Sequence, residues 1–311
     1  VLRRALLAAS ASEQIRRIVT TAPLTRGVVA RFVAGDSADD ALAVTRRLLD
    51  DGLLVSLDYL GEDTVDPEQA AAVTDEYVRL LGRLDAGGMS GRGAAEVSVK
   101  PTAVGLDLAE HGEKTARENI TRICAAASAA GTTVTLDAED HTRIEATLRI
   151  AAQVRPDFPG LGCVIQSYLQ RSPDDCRALA VAGSRVRLCK GAYSAAGDVA
   201  FQARAEVDRC YARCLRVLMD GPGYPMIATH DPRLIRIAGQ RARAAARRPA
   251  SFEYQMLYGI RPAEQLRLAR DGAQVRVYLP YGSDWYGYLV RRLAERPANL
   301  AFFLRSLASR R

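Results

Sequence analysis

Short β-prone runs alternate along this chain with longer stretches that carry apolar residues at helical spacing. The runs are VVARFVAG (28–35), LLVSLDYLG (53–61), AEVSVKPT (95–102), TTVTLDAED (132–140), GCVIQSYL (162–169), RVRLCKGAY (185–193), PMIATH (225–230) and SFEYQML (251–257). Between them lie helix-length segments such as ADDALAVTRRLLDDG, which stops at Gly52 as a glycine-closed helix does. Eight strand–helix alternations without an evident linker predict an α/β fold, a (β/α)8 barrel over 27–311, with a helical segment at 1–26 packed on it. An open doubly wound sheet is the alternative, but no G-x-G-x-x-G follows the first run. A ninth β-like piece, QVRVYLPYG (274–282), exceeds the eight that a barrel needs and leads into a last helix beginning near Trp285. That surplus implies a last helix displaced from its usual seat on the outer wall.

The last helix carries YLVRRLAERPAN (288–299). Tyr288, Arg291, Arg292 and Glu295 share one helix face, with Tyr286, Leu289, Val290, Leu293 and Pro297 opposite. Spacing alone leaves two readings open, a solvated polar face or a site that needs two guanidinium groups.

Composition narrows the classes. Of 43 basic residues only Lys100, Lys114 and Lys190 are lysines; the arginine bias is that of a GC-rich genome and is no sign of nucleic acid. The densest basic run, RARAAARRPA (241–250), has no aromatic residue and reads as a solvated helix face. No apolar run approaches the roughly 18 residues of a spanning helix. The start, VLRRALLAASASEQIRR, has too short an apolar segment for a signal peptide and is expected to be the first helix of a soluble, cytoplasmic protein. Six cysteines with no CxxC pair read as reduced, buried thiols.

Barrel enzymes gather their chemistry at the C-terminal ends of the strands. Those ends carry Lys100, Asp137 with Glu139, Gln166, Arg187 with Lys190 and Tyr193, and Thr229 with His230. Two of the three lysines fall in this short set. In a chain that writes arginine nearly everywhere, ammonium groups are required there as such. Asp137 has a plainer reading as a helix cap, and His230 as a satisfied histidine. With only three histidines, His111, His141 and His230, a metal centre is not expected.

The segments VSVKPT, LDAED, VIQSYL, RLCKGAY, ATH, FEYQMLYGIR and VYLPYGSDWYGYLVRRLAERPAN, in this order, resemble the proline dehydrogenase family from about residue 31 to residue 305. The resemblance implies a distorted (β/α)8 barrel with its last helix over the mouth, and a non-covalent FAD at the strand ends. It implies flavin contacts for Gln166, Arg187, Lys190, Gly191, Ala192, Thr229, His230 and the backbone at Ala138, with Glu295 orienting Arg292 or touching the cofactor. Lys100, Arg291 and Arg292 would bind the proline carboxylate. Tyr193, Leu257, Tyr278 and Tyr288 would wall the ring, and Asp137 and Arg187 would be the catalytic pair. The reaction implied is hydride transfer from proline C5 to flavin N5, giving 1-pyrroline-5-carboxylate as the first step of proline catabolism. Electrons would pass to a quinone, with peripheral membrane contact through basic helices left open, and a separate dehydrogenase would take the product. The competing readings are a Schiff-base lyase using Lys100 or Lys190 and a catalytically silent barrel.

Overall fold

The computed structural model describes residues 29–193 and 195–289. In chain order the elements are α1 (Ala38–Asp50), β1 (Leu54–Tyr59), α2 (Pro67–Ala86), β2 (Ala95–Val99), α3 (Gly112–Ala129), β3 (Val134–Leu136), α4 (Ile144–Val154) and β4 (Gly162–Gln166). Then follow α5 (Ser172–Leu179), β5 (Arg185–Cys189), α6 (Arg204–Asp220), β6 (Tyr224–Ala228), α7 (Pro232–Ala244), β7 (Glu253–Leu257), α8 (Pro262–Arg270) and β8 (Val275–Tyr281). The eight strands are parallel and close into a barrel in sequence order, β1 pairing with both β2 and β8. Local chemistry sets the helix starts. Ser37 and Asp40 form a reciprocal capping box at α1, and Asp66–Pro67 and Asp231–Pro232 open α2 and α7 with a capping carboxylate followed by a proline.

Two expectations are corrected. The described part of the run 28–35 is not a strand: Val29 is helical, and the chain then turns and bends through Phe32 and Val33. Every strand of the closed barrel already has two neighbours, so no edge remains for a ninth. QVRVYLPYG is therefore not surplus; it supplies β8. Residues 29–35 instead lie across the strand C-terminal end, where Phe32 and Val33 are buried with Leu60, Ile260, Trp285, Tyr286, Tyr288 and Leu289. Ala34 N–H donates to Pro280 O, and Gly282 N–H donates to Gly35 O, pinning the segment to the end of β8.

The last helix does begin at the mouth, but for another reason than a surplus strand. Helix α1 packs over β1 and β8, burying Ala41, Thr45 and Leu48. It fills the outer seat that a helix after β8 would take in a regular barrel. The turn at 285–289 accordingly packs on Leu60 and Phe32 rather than on the wall. The remainder of that helix, with Arg291, Arg292 and Glu295, lies outside the described residues, as does the expected helical segment 1–26. No described helix is long and apolar enough to cross a membrane.

Candidate active site

Along each strand, positions inside the barrel alternate with positions facing the helices. The inward ones are unusually polar: Ser56 and Asp58 on β1, Glu96 and Ser98 on β2, Thr135 on β3, Arg185 and Arg187 on β5, Glu253 and Gln255 on β7, and Arg276 and Tyr278 on β8. Toward the strand N-termini, Arg185 Nη2 meets Glu96 Oε2 at 2.6 Å, and Arg276 Nε meets Glu253 Oε1 at 2.8 Å. Burial alone would raise the Glu96 carboxyl, yet Arg185, Arg276 and Arg187 together hold it well below the usual carboxylate range. Two carboxylates and two guanidiniums thus neutralise one another where water is excluded. Neither member of such a pair could be removed without leaving an uncompensated buried charge.

One layer higher, Arg187 is a node. Its Nε donates to Gln255 Oε1 (2.5 Å), its Nη1 to Ser98 Oγ (2.8 Å) and Asp137 Oδ1 (2.6 Å), and its Nη2 to Ser56 Oγ (3.3 Å). Four strands fix the guanidinium in one plane, 5.4 Å from the centre of the Tyr278 ring. Asp137 is placed by its own N–H, which donates to Val99 O and extends the β2–β3 ladder by one residue. Its Oδ1 serves Arg187 and Ser98, and its Oδ2 accepts from Tyr278 Oη at 2.7 Å. The plainer reading of Asp137 as a helix cap is therefore excluded; Asp140 caps the following turn.

At the mouth, Lys100 Nζ lies 2.6 Å from Asp58 Oδ1, 3.5 Å from Tyr278 Oη and 3.9 Å from Asp137 Oδ2. Burial opposes its charge, but Asp58, Asp137 and Glu62 outweigh that and hold the ammonium above the usual lysine range. A Schiff-base nucleophile must shed this proton, so the arrangement opposes the lyase reading of Lys100. Burial pushes Asp58 upward, against Lys100. Beside Lys100 a small cleft of about 50 Å³ is lined by Leu60, Gly61, Glu62, Asp284, Gly287 and Tyr288. Tyr288 is buried there.

The other expected residues are spread over several strand ends. Gln166, at the end of β4, donates from Nε2 to Ala138 O (2.7 Å) and Glu139 O (3.3 Å); its Oε1 is buried with no hydrogen-bond partner among the described residues. His230 Nε2 accepts from the N–H of Leu257, joining the ends of β6 and β7, and Thr229 Oγ1 accepts from Asp231 N–H. Leu257 and Tyr278 pack on the Tyr288–Phe32 cluster, whereas Tyr193 and Ala138 pack with Tyr168 and Leu169 in a separate one. Lys190 is turned to acids: Asp208 Oδ1 at 2.6 Å and Asp231 Oδ2 at 3.3 Å. Gly191, with φ +92°, lies so close to the Tyr168 ring that a Cβ would sit 2.3 Å from it, and Ala192 follows half-buried.

Asp58, Ser98, Thr102 and Gln255 join the site without having been singled out from the sequence. For Asp58, Ser98 and Gln255 a period-two signal exists in S-x-D, E-x-S-x-K and E-x-Q, which place polar residues on one face of otherwise apolar runs; Thr102, in the turn after β2, carries no such signal.

The family described as proline dehydrogenase matches residues 41–305. Proline dehydrogenase 1 of Bacillus subtilis (strain 168) is 38% identical over 284 residues, covering 91% of this chain and 91% of its own length. Proline dehydrogenase of Deinococcus radiodurans is 38% identical over 279 residues, with 89% of each covered. Among solved structures, proline utilization A from Bdellovibrio bacteriovorus inactivated by N-propargylglycine superposes with a TM-score of 0.80 at 24% identity. The match takes in 92% of this chain and 34% of that one, so this chain spans about a third of the length of that protein.

Proposed function

Because the chain belongs to the proline dehydrogenase family, we propose that the mouth of its barrel oxidises L-proline to 1-pyrroline-5-carboxylate, the first step of proline catabolism. The observation that carries this reading is the convergence of Lys100, Asp137, Arg187 and Tyr278 from four strands onto one buried network. Membership of the family makes the chain a flavin-dependent oxidoreductase; non-covalent FAD at the strand ends is our finer assignment. The orphaned amide oxygen of Gln166 supports it, since a buried acceptor without a donor costs about 1–3 kcal/mol unless a ligand supplies one, and an N–H of a flavin ring is such a donor. Gln166, Ala138, Arg187, Gly191, Ala192, Thr229 and His230 are the residues proposed to hold it. Lys190 would join them by exchanging Asp208 and Asp231 for a phosphate. The bound flavin supplies the two-electron acceptor for the hydride that leaves proline C5.

The protein's own part is orientation and charge. Asp137 ties Arg187 to Tyr278, so guanidinium and ring keep fixed places while substrate binds. Arg187, almost fully buried, offers positive charge that need not reorganise when negative charge builds up nearby. Lys100 is proposed to meet the proline carboxylate. The described mouth offers it little net attraction, since Lys100 and Arg187 are balanced by Asp58 and Asp137, with Glu62 and Asp284 at the rim. The substrate carboxylate therefore needs further cations, the role we assign to Arg291 and Arg292, with Glu295 orienting Arg292. Tyr193, Leu257, Tyr278 and Tyr288 are assigned to the walls around the ring.

Electrons are proposed to leave to a quinone, the protein meeting an anionic membrane through exposed arginines on α6 and α7, and the product to pass to a separate 1-pyrroline-5-carboxylate dehydrogenase. The core of the proposal is tested directly. The purified protein is expected to be yellow, and proline added without oxygen is expected to bleach the flavin band. A flavin-loaded protein that proline leaves unbleached would refute it.

A further inference from the structure

We propose that Thr102 and Glu139 form a clasp that positions Lys100 for the substrate carboxylate, a role that rests on the reading of Lys100 given above. Thr102 lies in the turn Pro101–Val104, which begins directly after Lys100. Its N–H donates to Glu139 Oε1 at 3.1 Å, and its hydroxyl donates to Glu139 Oε2. The same hydroxyl oxygen accepts from Asp63 N–H at 3.0 Å. Asp63 follows Leu60, Gly61 and Glu62, which line the cleft at Lys100. On the far side, the Gln166 amide holds the carbonyls of Ala138 and Glu139. One hydrogen-bond chain thus laces the loops after β1, β2 and β3 to the end of β4, and the Lys100 turn is its second link.

The chemistry of the pair explains why a carboxylate sits there. Both residues are almost fully buried, and no cation lies within salt-bridge distance of Glu139 among the described residues. Among the described residues its contacts are hydrogen bonds rather than an ion pair. Thr102 presents two donors side by side, its N–H and its hydroxyl, and Asp63 N–H takes one lone pair of that hydroxyl oxygen. The two oxygens of one carboxyl group meet both donors within one side chain. An amide of the same shape would set an N–H against one of the two donors.

The test uses flavin-loaded enzyme, with KM and kcat for proline, flavin content and thermal melting measured together. Thr102→Val and Glu139→Gln are each expected to raise KM about tenfold with kcat changed less than about threefold, whereas Thr102→Ser, which keeps the hydroxyl, stays within about twofold of the parent. Thr102→Ala replaces the Val variant if that protein does not fold. Because the clasp acts through the lysine, Thr102→Val added to Lys100→Met is expected to raise KM no further than Lys100→Met alone. A purely structural role for Thr102 would instead add to the lysine effect and lower kcat and flavin content together, and that pattern would overturn the proposal. If Lys100→Met raises KM while Thr102→Val and Glu139→Gln do not, the clasp fails and the Lys100 reading stands. If Lys100→Met leaves KM unchanged, the Lys100 reading itself fails and the clasp falls with it.

Discussion

Glu139 and Lys100 stand at neighbouring strand ends and respond oppositely to burial. Lys100 has carboxylates beside it and stays charged; for Glu139 burial, partly offset by the Thr102 hydrogen bonds and by the charge of Lys100, pushes the carboxyl up to about 7. An acid whose folded value is raised stabilises the fold fully below its unfolded value and loses that contribution as pH rises through the folded one. Here the window runs from 4.5 to about 7, and the linkage is worth roughly 3 kcal/mol. Glu139→Gln cannot titrate. Melting temperatures of parent and variant, compared between about pH 5 and about pH 7.5, are expected to shift in the variant's favour as pH rises. A constant gap would show that Glu139 ionises at its ordinary value.

Among the elements, the segment 29–35 turns an ordinary barrel into one with a roofed mouth. It can lie down only because Gly259, in the turn after β7, has φ +72° and no side chain: a Cβ there would sit 1.7 Å from Arg31 O. Gly259→Ala must therefore push the segment off the barrel, and with it the Phe32 contact that Tyr288 shares. A loss of roughly 2–4 kcal/mol in denaturant unfolding is expected, together with a raised KM for proline. Unchanged stability would mean that the segment does not rest on this turn. Gly52, by contrast, closes α1 with φ +77° in open space, so only its backbone conformation matters.

At the scale of the whole molecule, charge is sorted by place. Inside, every buried guanidinium of the barrel meets an acid or an amide. Outside, Arg209, Arg213 and Arg216 on α6 and Arg236 and Arg243 on the adjoining α7 are exposed, and none is in a salt bridge among the described residues. Their neighbours Arg233 and Arg241, by contrast, are paired with Asp231 and Asp220. Ile237 is exposed between them. A cationic face of this kind gains about 1 kcal/mol per residue near an anionic bilayer, screened over about 8 Å at physiological ionic strength. The protein is expected to co-sediment with vesicles containing anionic lipid at low salt and to be released at high salt. Arg213→Glu with Arg236→Glu should abolish binding while leaving proline-dependent bleaching intact. No co-sedimentation at low salt would rule this face out as a membrane contact.

Local periodicity was enough to mark all eight strands as β-prone, the end of α1 and the polar strand ends, because alternation and capping act over a few residues. The same logic lay in S-x-D and E-x-Q, where Asp58 and Gln255 could have been found. Closure was not legible: 28–35 is as β-prone as any run, and only a ring that leaves no free edge sends it across the mouth and makes QVRVYLPYG the eighth strand. The partners of each charge were equally hidden. Lys100 with Asp58, Arg187 with Asp137 and Thr102 with Glu139 are separated by 42, 50 and 37 positions. Periodicity carries no term for such distances; the barrel's register does, and it decides which residue types become a site.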